Sequence, residues 1–185
     1  MSTTNELTKT YSGILGNRVV LKSRKGKSTI TIPPTKPEKA PSLKQIQLSV
    51  MFQCAAQYAR NAMQDPVLLA AYTEKSGKGL TPYRVAVNDY LKRPRVHSIV
   101  ASGYEGNPGD KISITATDNF RVVEVAVQIV DPAGAVIEKG VCAFSLPSGT
   151  YEYTATVPVT VLTGVTIIAK ATDLPGHTGE LAITL

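Results

Sequence analysis

The sequence predicts an α+β protein: an N-terminal β-hairpin arm and short helical bundle followed by an all-β sandwich. Three observations predict this. Alternating apolar and polar residues flank Lys25-Gly26-Lys27, capped apolar stretches of helical period fill the middle, and beyond Pro94 the apolar period falls to two. With 185 residues, 43% of them hydrophobic, the chain suffices for one ordinary domain or two small ones, and disorder throughout is not expected.

Residues 1–41 are expected to form a basic arm. Its first ten residues are polar, and Val19 to Arg24 and Ser28 to Ile32 then read as two strands joined by a turn at Gly26. Pro33, Pro34, Pro37 and Pro41 make an extended connector and forbid a central strand there. An isolated hairpin is marginal in water, so Val20, Ile30 and Ile32 are candidate contacts with a covering surface. The prolines favour a surface on a neighbouring copy.

Residues 42–94 are expected to be helical. Ser42, with Gln45 three residues on, makes a capping-box pattern for a helix reaching about Gln64. Leu48, Met51, Phe52, Ala55, Ala59, Ala62 and Met63 form its apolar stripe, which Ile46, Val50, Cys54 and Tyr58 widen. The remaining face, including Gln53, Gln57 and Arg60, is almost uncharged, so this helix is expected to be covered on several sides, with those three as candidate assembly contacts. Asp65-Pro66 and Thr81-Pro82 each place a capping side chain before a proline, predicting short helices over about 66–75 and 82–92.

Residues 95–185 predict about seven strands in an immunoglobulin-like sandwich. Ile112, Ile114 and Ala116 share a face; so do Val123, Val125, Val127 and Ile129, then Tyr151, Tyr153, Ala155 and Val157, then Val165, Ile167, Ala169 and Ala171. Asn107-Pro108-Gly109-Asp110, Asp131-Pro132-Ala133-Gly134, Pro147-Ser148-Gly149 and Leu174-Pro175-Gly176 mark turns between them.

Charge is unevenly divided. Residues 1–94 hold 15 basic and 5 acidic side chains, a net +10, whereas residues 95–185 hold 5 and 9, a net −4. The split fits an anionic partner for the first half, or attraction between basic and acidic halves of neighbouring copies. Arg18, Lys22, Arg24, Lys25 and Lys27 cluster on the hairpin and are candidate contacts with nucleic-acid phosphates or an acidic partner, read without base sequence. The plainer reading of these charges is a solvated hairpin or a protected strand edge.

Catalytic constellations do not appear, so no enzymatic activity, cofactor or small-molecule substrate is expected. Gly26-Lys27-Ser28 ends like a phosphate loop, but the first glycine of that motif would fall at Leu21 and the context is strand-turn-strand. Gly103, Gly106 and Gly109 precede a strand, and read as turn glycines. His97 and His177 have no zinc-ligand spacing or companion nucleophile and read as surface histidines. Asp118 and Asp173 each follow an alternating strand; such oxygens can converge on calcium, and Asp is equally a turn former. Cys54 and Cys142 read as buried small hydrophobes with no disulfide between them.

Residues 1–30 contain no apolar run of signal-peptide length, and no stretch approaches the roughly 20 apolar residues that span a bilayer. Cytoplasmic synthesis without membrane insertion is therefore expected, with incorporation into a particle or filament.

Tyr11-Ser12-Gly13-Ile14-Leu15-Gly16-Asn17 followed by Arg24-Lys25-Gly26-Lys27 resembles the opening of small bacterial proteins of a Bacteroidetes-type or phage-associated setting. The stretches Asp65 to Tyr72 and Pro82 to Tyr90 are similar to the helical part of that group, and Tyr104 to Asp110 and Ala116 to Val122 to its sandwich-like part. The resemblance covers most of the chain and implies the same three-part architecture, without any activity or binding residue. The expected function is a structural subunit that self-associates into a filament, virion or related homo-oligomeric assembly; the alternative is a sequence-nonspecific nucleic-acid-binding protein using the basic hairpin.

Overall fold

The computed structural model describes residues 12–16, 18–24, 27–35, 39–77 and 79–185, apart from the side chains of Arg24 and Lys27. The chain has a mixed α+β architecture and divides into two compact units, 1–43 and 44–185, so the helices and the later sheets belong to one unit.

The first unit holds a three-stranded antiparallel sheet of order β1-β2-β3, with β1 at Gly13–Leu15, β2 at Val19–Arg24 and β3 at Lys27–Thr31. The sequence predicts the last two strands. The first is added because a tight turn, closed by the Arg18 N–H donating to the Leu15 carbonyl at 3.2 Å, brings Gly13–Leu15 back along β2.

The second unit begins with three helices: α1 (Leu43–Ala62), α2 (Pro66–Glu74) and α3 (Pro82–Leu91). The caps read at the starts of α2 and α3 form. Asp65 Oδ1 accepts from the Val67 and Leu68 amides at 2.8 and 3.2 Å, and Thr81 Oγ1 accepts from the Arg84 amide at 3.3 Å. Ala59 and Ala62 of α1, Tyr72 of α2 and Ala86 of α3 close a small core with Phe120, which comes from the β-part of the chain. The small residues let the helices approach closely there.

Eight strands follow. One sheet has the order β4-β5-β9-β8, from Arg95–Val100, Lys111–Thr117, Thr150–Thr154 and Ala143–Ser145. The other has the order β11-β10-β6-β7, from Thr178–Thr184, Thr166–Asp173, Val122–Val130 and Val136–Val141. Ile112 and Ile114 of the first sheet share one apolar core with Val125, Val127, Ile129, Ile167 and Ala169 of the second. Glu138 of β7 ties in the other sheet: its Oε2 accepts from the Tyr153 hydroxyl and from Thr156 Oγ1 at 3.2 and 2.8 Å.

Alternation holds along β5 and β10 and breaks at one end of β6. Val123 is 55% exposed, because pairing runs Thr172 to Glu124 and then Asp173 to Val122, skipping it. A bulge of this kind interrupts the period of two and turns one residue out of the face its neighbours share. The thiol of Cys142 is buried, which pushes its pKa up to about 12. Cys54 is exposed, contrary to the sequence reading, because it lies on the part of α1 that the helical core does not cover. Both cysteines are free.

Gly106 is the turn glycine with the most at stake. Its φ is +88°, and a Cβ there would lie 2.2 Å from the Val159 carbonyl oxygen, while the Val159 amide donates to the Gly106 carbonyl at 2.8 Å. Gly106→Ala is expected to cost more than about 2 kcal/mol, from backbone strain and the collision together. Gly134→Ala, with φ +86° and open space around its Cβ, should cost only about 1 kcal/mol. Urea unfolding of the two variants checks the ranking, and equal losses would show that the contact to Val159 is unimportant.

Among the described residues, no helix is long and apolar enough to cross a membrane.

Candidate functional site

Three sets of residues carry the functional question: the hairpin cations, the surface of α1, and a buried polar network where the helices meet the sheets.

On the hairpin, Arg18 and Lys22 are exposed. Arg24 and Lys27 are Cα partners at the turn, their side chains lying outside the described residues together with the whole of Lys25. Val20, Ile30 and Ile32 do not share a strand face. Val20 stands opposite Ile14 and Thr31, on the face that carries Lys22 and Thr29; Ile30 stands opposite Leu21, and Ile32 lies beyond the end of β3. The register instead puts Leu15, Val19, Leu21 and Ile30 on one face, since Leu15 pairs with Val19 and Leu21 with both Gly13 and Ile30. Strand alternation alone could not find that face, because it depends on which residue the turn sets opposite which.

The stripe predicted for α1 is buried only in its second half. Ala55, Ala59 and Ala62 are buried, while residues 43–54 are all exposed. Ile46 and Leu48 are 46% and 44% exposed, and Val50, Met51 and Phe52 are 52%, 41% and 55% exposed. Successive positions step about 100° around a helix, so these side chains leave it in several directions. Gln53, Gln57 and Arg60 are exposed as well; Gln57 donates to Asn61 Oδ1 and accepts from Arg60, both at 3.0 Å. Between Lys44 and Arg60 the helix carries no charged residue.

The polar network was not legible as a unit in the sequence. Asp89, on the buried face of α3, is fully buried, and its Oδ2 accepts from the Tyr72 hydroxyl of α2 at 2.6 Å. The Tyr58 hydroxyl of α1 lies 2.7 Å from that of Tyr72. Since Tyr72 spends its proton on Asp89, Tyr58 is the donor between the two tyrosines.

The loops at the end of the sheets complete the network. Asp118 Oδ2 accepts from the Phe120 and Arg121 amides at 2.9 and 3.0 Å, and Asp173 Oδ1 from the His177 amide at 2.6 Å, so both act as turn formers. Lys75 donates to the Phe120 carbonyl, and the Phe120 ring lies 4.6 Å from that of Tyr72. His177 is half-buried instead of a plain surface residue: it packs edge-on against Tyr90 at 4.6 Å, with Nδ1 at 3.3 Å from the buried Asp173 carboxylate. Burial, first of all, raises the pKa values of Asp89 and Asp173, and burial with the neighbouring Asp89 raises that of Tyr72, which keeps its hydroxyl a donor. His97 is exposed, its Nε2 at 2.6 Å from Thr117 Oγ1.

No family model and no curated protein matches the sequence. Among solved structures, the chain is similar to a tetra-tandem repeat in the extending region of a large adhesion protein, with 21% identity over 51% of this chain and 24% of that one and a TM-score of 0.36. It is also similar to an engineered protein, with 15% identity over 56% of this chain and 25% of that one and a TM-score of 0.34. The chain thus spans about a quarter of the length of either.

Proposed function

We propose that this chain is a non-enzymatic structural subunit that self-associates through its N-terminal arm and α1 into a filament, virion or related assembly, and that its C-terminal part is an immunoglobulin-like sandwich. The observation that carries the proposal is the exposed first half of α1, apolar in several directions and uncharged between Lys44 and Arg60. Contiguous apolar surface of this kind is rarely left to water and marks an interaction site. A second copy supplies a matching surface, because its own α1 is equally apolar and brings no charge that would have to be desolvated. The order of the strands supports the sandwich reading: β4, β5, β9 and β8 occupy the places of strands A, B, E and D, and β11, β10, β6 and β7 those of G, F, C and C′.

Within this reading the arm joins neighbouring copies. Ile30 and Ile32 are 61% and 83% exposed, on and just after an edge strand open to pairing with another chain. Deleting residues 1–33 is expected to reduce the mass seen by light scattering to that of a smaller species, with the melting temperature of the remaining unit kept. Unchanged stoichiometry would remove the arm from the assembly.

The basic hairpin keeps nucleic acid as a second reading, favoured by the exposure of Arg18 and Lys22. In that case a gel shift with duplex or single strands weakens steeply with salt and tolerates changes of sequence. No shift at low salt would discard this reading.

A further inference from the structure

We propose that the exposed strip of Lys92, Arg93, Arg95 and His97, completed by Thr117, holds the phosphate backbone of a nucleic-acid strand without reading its bases. The strip lies in the unit 44–185 and stands apart from the hairpin cations.

Helix α3 ends at Leu91, and Lys92, which caps it, already has extended backbone angles. From there the chain alternates: Arg93, Arg95 and His97 are exposed, while Pro94 and Val96 are buried. Alternate positions of an extended chain recur on one side about every 6.7 Å, so two guanidiniums and an imidazole stand in a line about 13 Å long. No acidic residue occurs between Asp89 and Glu105. Among the described residues, the side chains of Lys92, Arg93 and Arg95 have no ion pair or hydrogen bond.

The neighbouring strand adds a hydroxyl. Arg95 is the Cα partner of Thr117 on β5, and His97 Nε2 lies 2.6 Å from Thr117 Oγ1. With the imidazole proton on Nε2, His97 donates to Thr117 Oγ1, and the exposed Thr117 hydroxyl keeps its own proton for an outside acceptor. A phosphate oxygen can take that proton's hydrogen bond while the planar Arg95 guanidinium engages the other oxygens. Asp118, the next residue, does not oppose an anion there: its Oδ2 accepts from the Phe120 and Arg121 amides and its Oδ1 is buried.

Plainer roles cover only part of the strip. A lysine just past a helix complements the negative end of its dipole, which explains Lys92 alone. Cations also guard open strand edges, but the start of β4 is already closed by β11, where a Cβ on Gly179 would collide with the Pro94 carbonyl oxygen.

Nucleic acid fits the strip better than an acidic face of a second copy. Among the described residues, the acidic side chains that are neither buried, paired nor bonded to backbone amides are Glu74, Glu105 and Glu124. They lie on α2, in the loop between β4 and β5, and on β6, so a copy offers no row of negative charge to match this row of cations. A nucleic-acid strand does, with one charge about every 3.4 Å of axis in the B form. Contacts to its phosphates fix position and carry no sequence information.

The test is fluorescence anisotropy of the full chain with a labelled single strand of mixed sequence, followed as salt rises. Combining Lys92→Gln, Arg93→Gln and Arg95→Gln is expected to weaken binding about tenfold or more at low salt. The slope of log affinity against log salt should fall by about 2, since each phosphate neutralised on a single strand contributes about 0.7. Thr117→Val keeps the shape, removes the hydroxyl and should weaken binding roughly fivefold. All four side chains are exposed, so these variants should melt with the parent. Arg18→Gln with Lys22→Gln separates this site from the hairpin: loss in that variant alone, with the strip variant binding like the parent, would overturn the proposal and leave the hairpin reading standing. Equally tight binding of polyglutamate would overturn it in favour of an acidic protein surface. No anisotropy change at low salt would overturn both nucleic-acid sites together.

Discussion

Replacing Val50 and Phe52 together by glutamate is expected to leave a folded chain that no longer associates. The two positions lie about 200° apart around α1, so the pair of charges tests both sides of the helix at once. Neither side chain is covered within the chain, each being more than half exposed. The fold therefore has little to lose. In an assembly that buries them, each charge enters an apolar contact without a partner, at a cost of several kcal/mol. Even at about 2 kcal/mol apiece, association weakens roughly a thousandfold. Sedimentation should show the monomer at concentrations where the parent is assembled, with an unchanged far-ultraviolet spectrum. A double variant that assembles like the parent would remove α1 from the contact.

Tyr72→Ala should be the most destabilising change in the helical core. The ring is fully buried between helices and Phe120, and its hydroxyl is the single described donor to Asp89. Truncating a buried aromatic to alanine costs about 3–5 kcal/mol through lost transfer energy and the cavity left behind. Leaving the Asp89 oxygen unsatisfied adds about 1–3 kcal/mol. Tyr72→Phe separates the two effects, since it keeps the ring and should lose only the second. Urea unfolding measures both. A loss below about 1 kcal/mol for Tyr72→Ala would mean that the helices are held some other way.

Local chemistry was legible where it acts over a few residues. Asp65-Pro66 and Thr81-Pro82 cap α2 and α3 as their spacing predicts, and the run Val165, Ile167, Ala169 and Ala171 is buried as alternation requires. Long-range placement was not. Ala143–Ser145 is too short to show a period, and the bulge that turns Val123 outward depends on its pairing with β10. The same limit hid the apolar hairpin face of Leu15, Val19, Leu21 and Ile30, which only the register assembles.

The buried network shows that limit most clearly. Asp89, Asp118 and Asp173 are far apart in sequence, and each has a local reading as a helix residue or turn former. One signal was present: Asp89 follows Ala86 by three positions, which puts a carboxylate on the apolar face of a short helix. A buried acid there needs a partner, and the Tyr72 hydroxyl of α2 supplies one.

The two halves of α1 teach a related lesson. Periodicity identified an apolar stripe from Leu48 to Met63, yet the chain itself buries only the part built on small alanines. The larger side chains of the first half stay exposed, and the proposed function rests on that contrast.

The central claim is that this exposed surface is covered by further copies of the same chain. Light scattering of the purified full chain at micromolar concentration tests it most directly, followed across salt and pH. A mass several times that of the 19.7 kDa chain, persisting as salt rises because apolar contacts dominate, is the predicted result. A strictly monomeric species under every condition, with the arm intact, would contradict it.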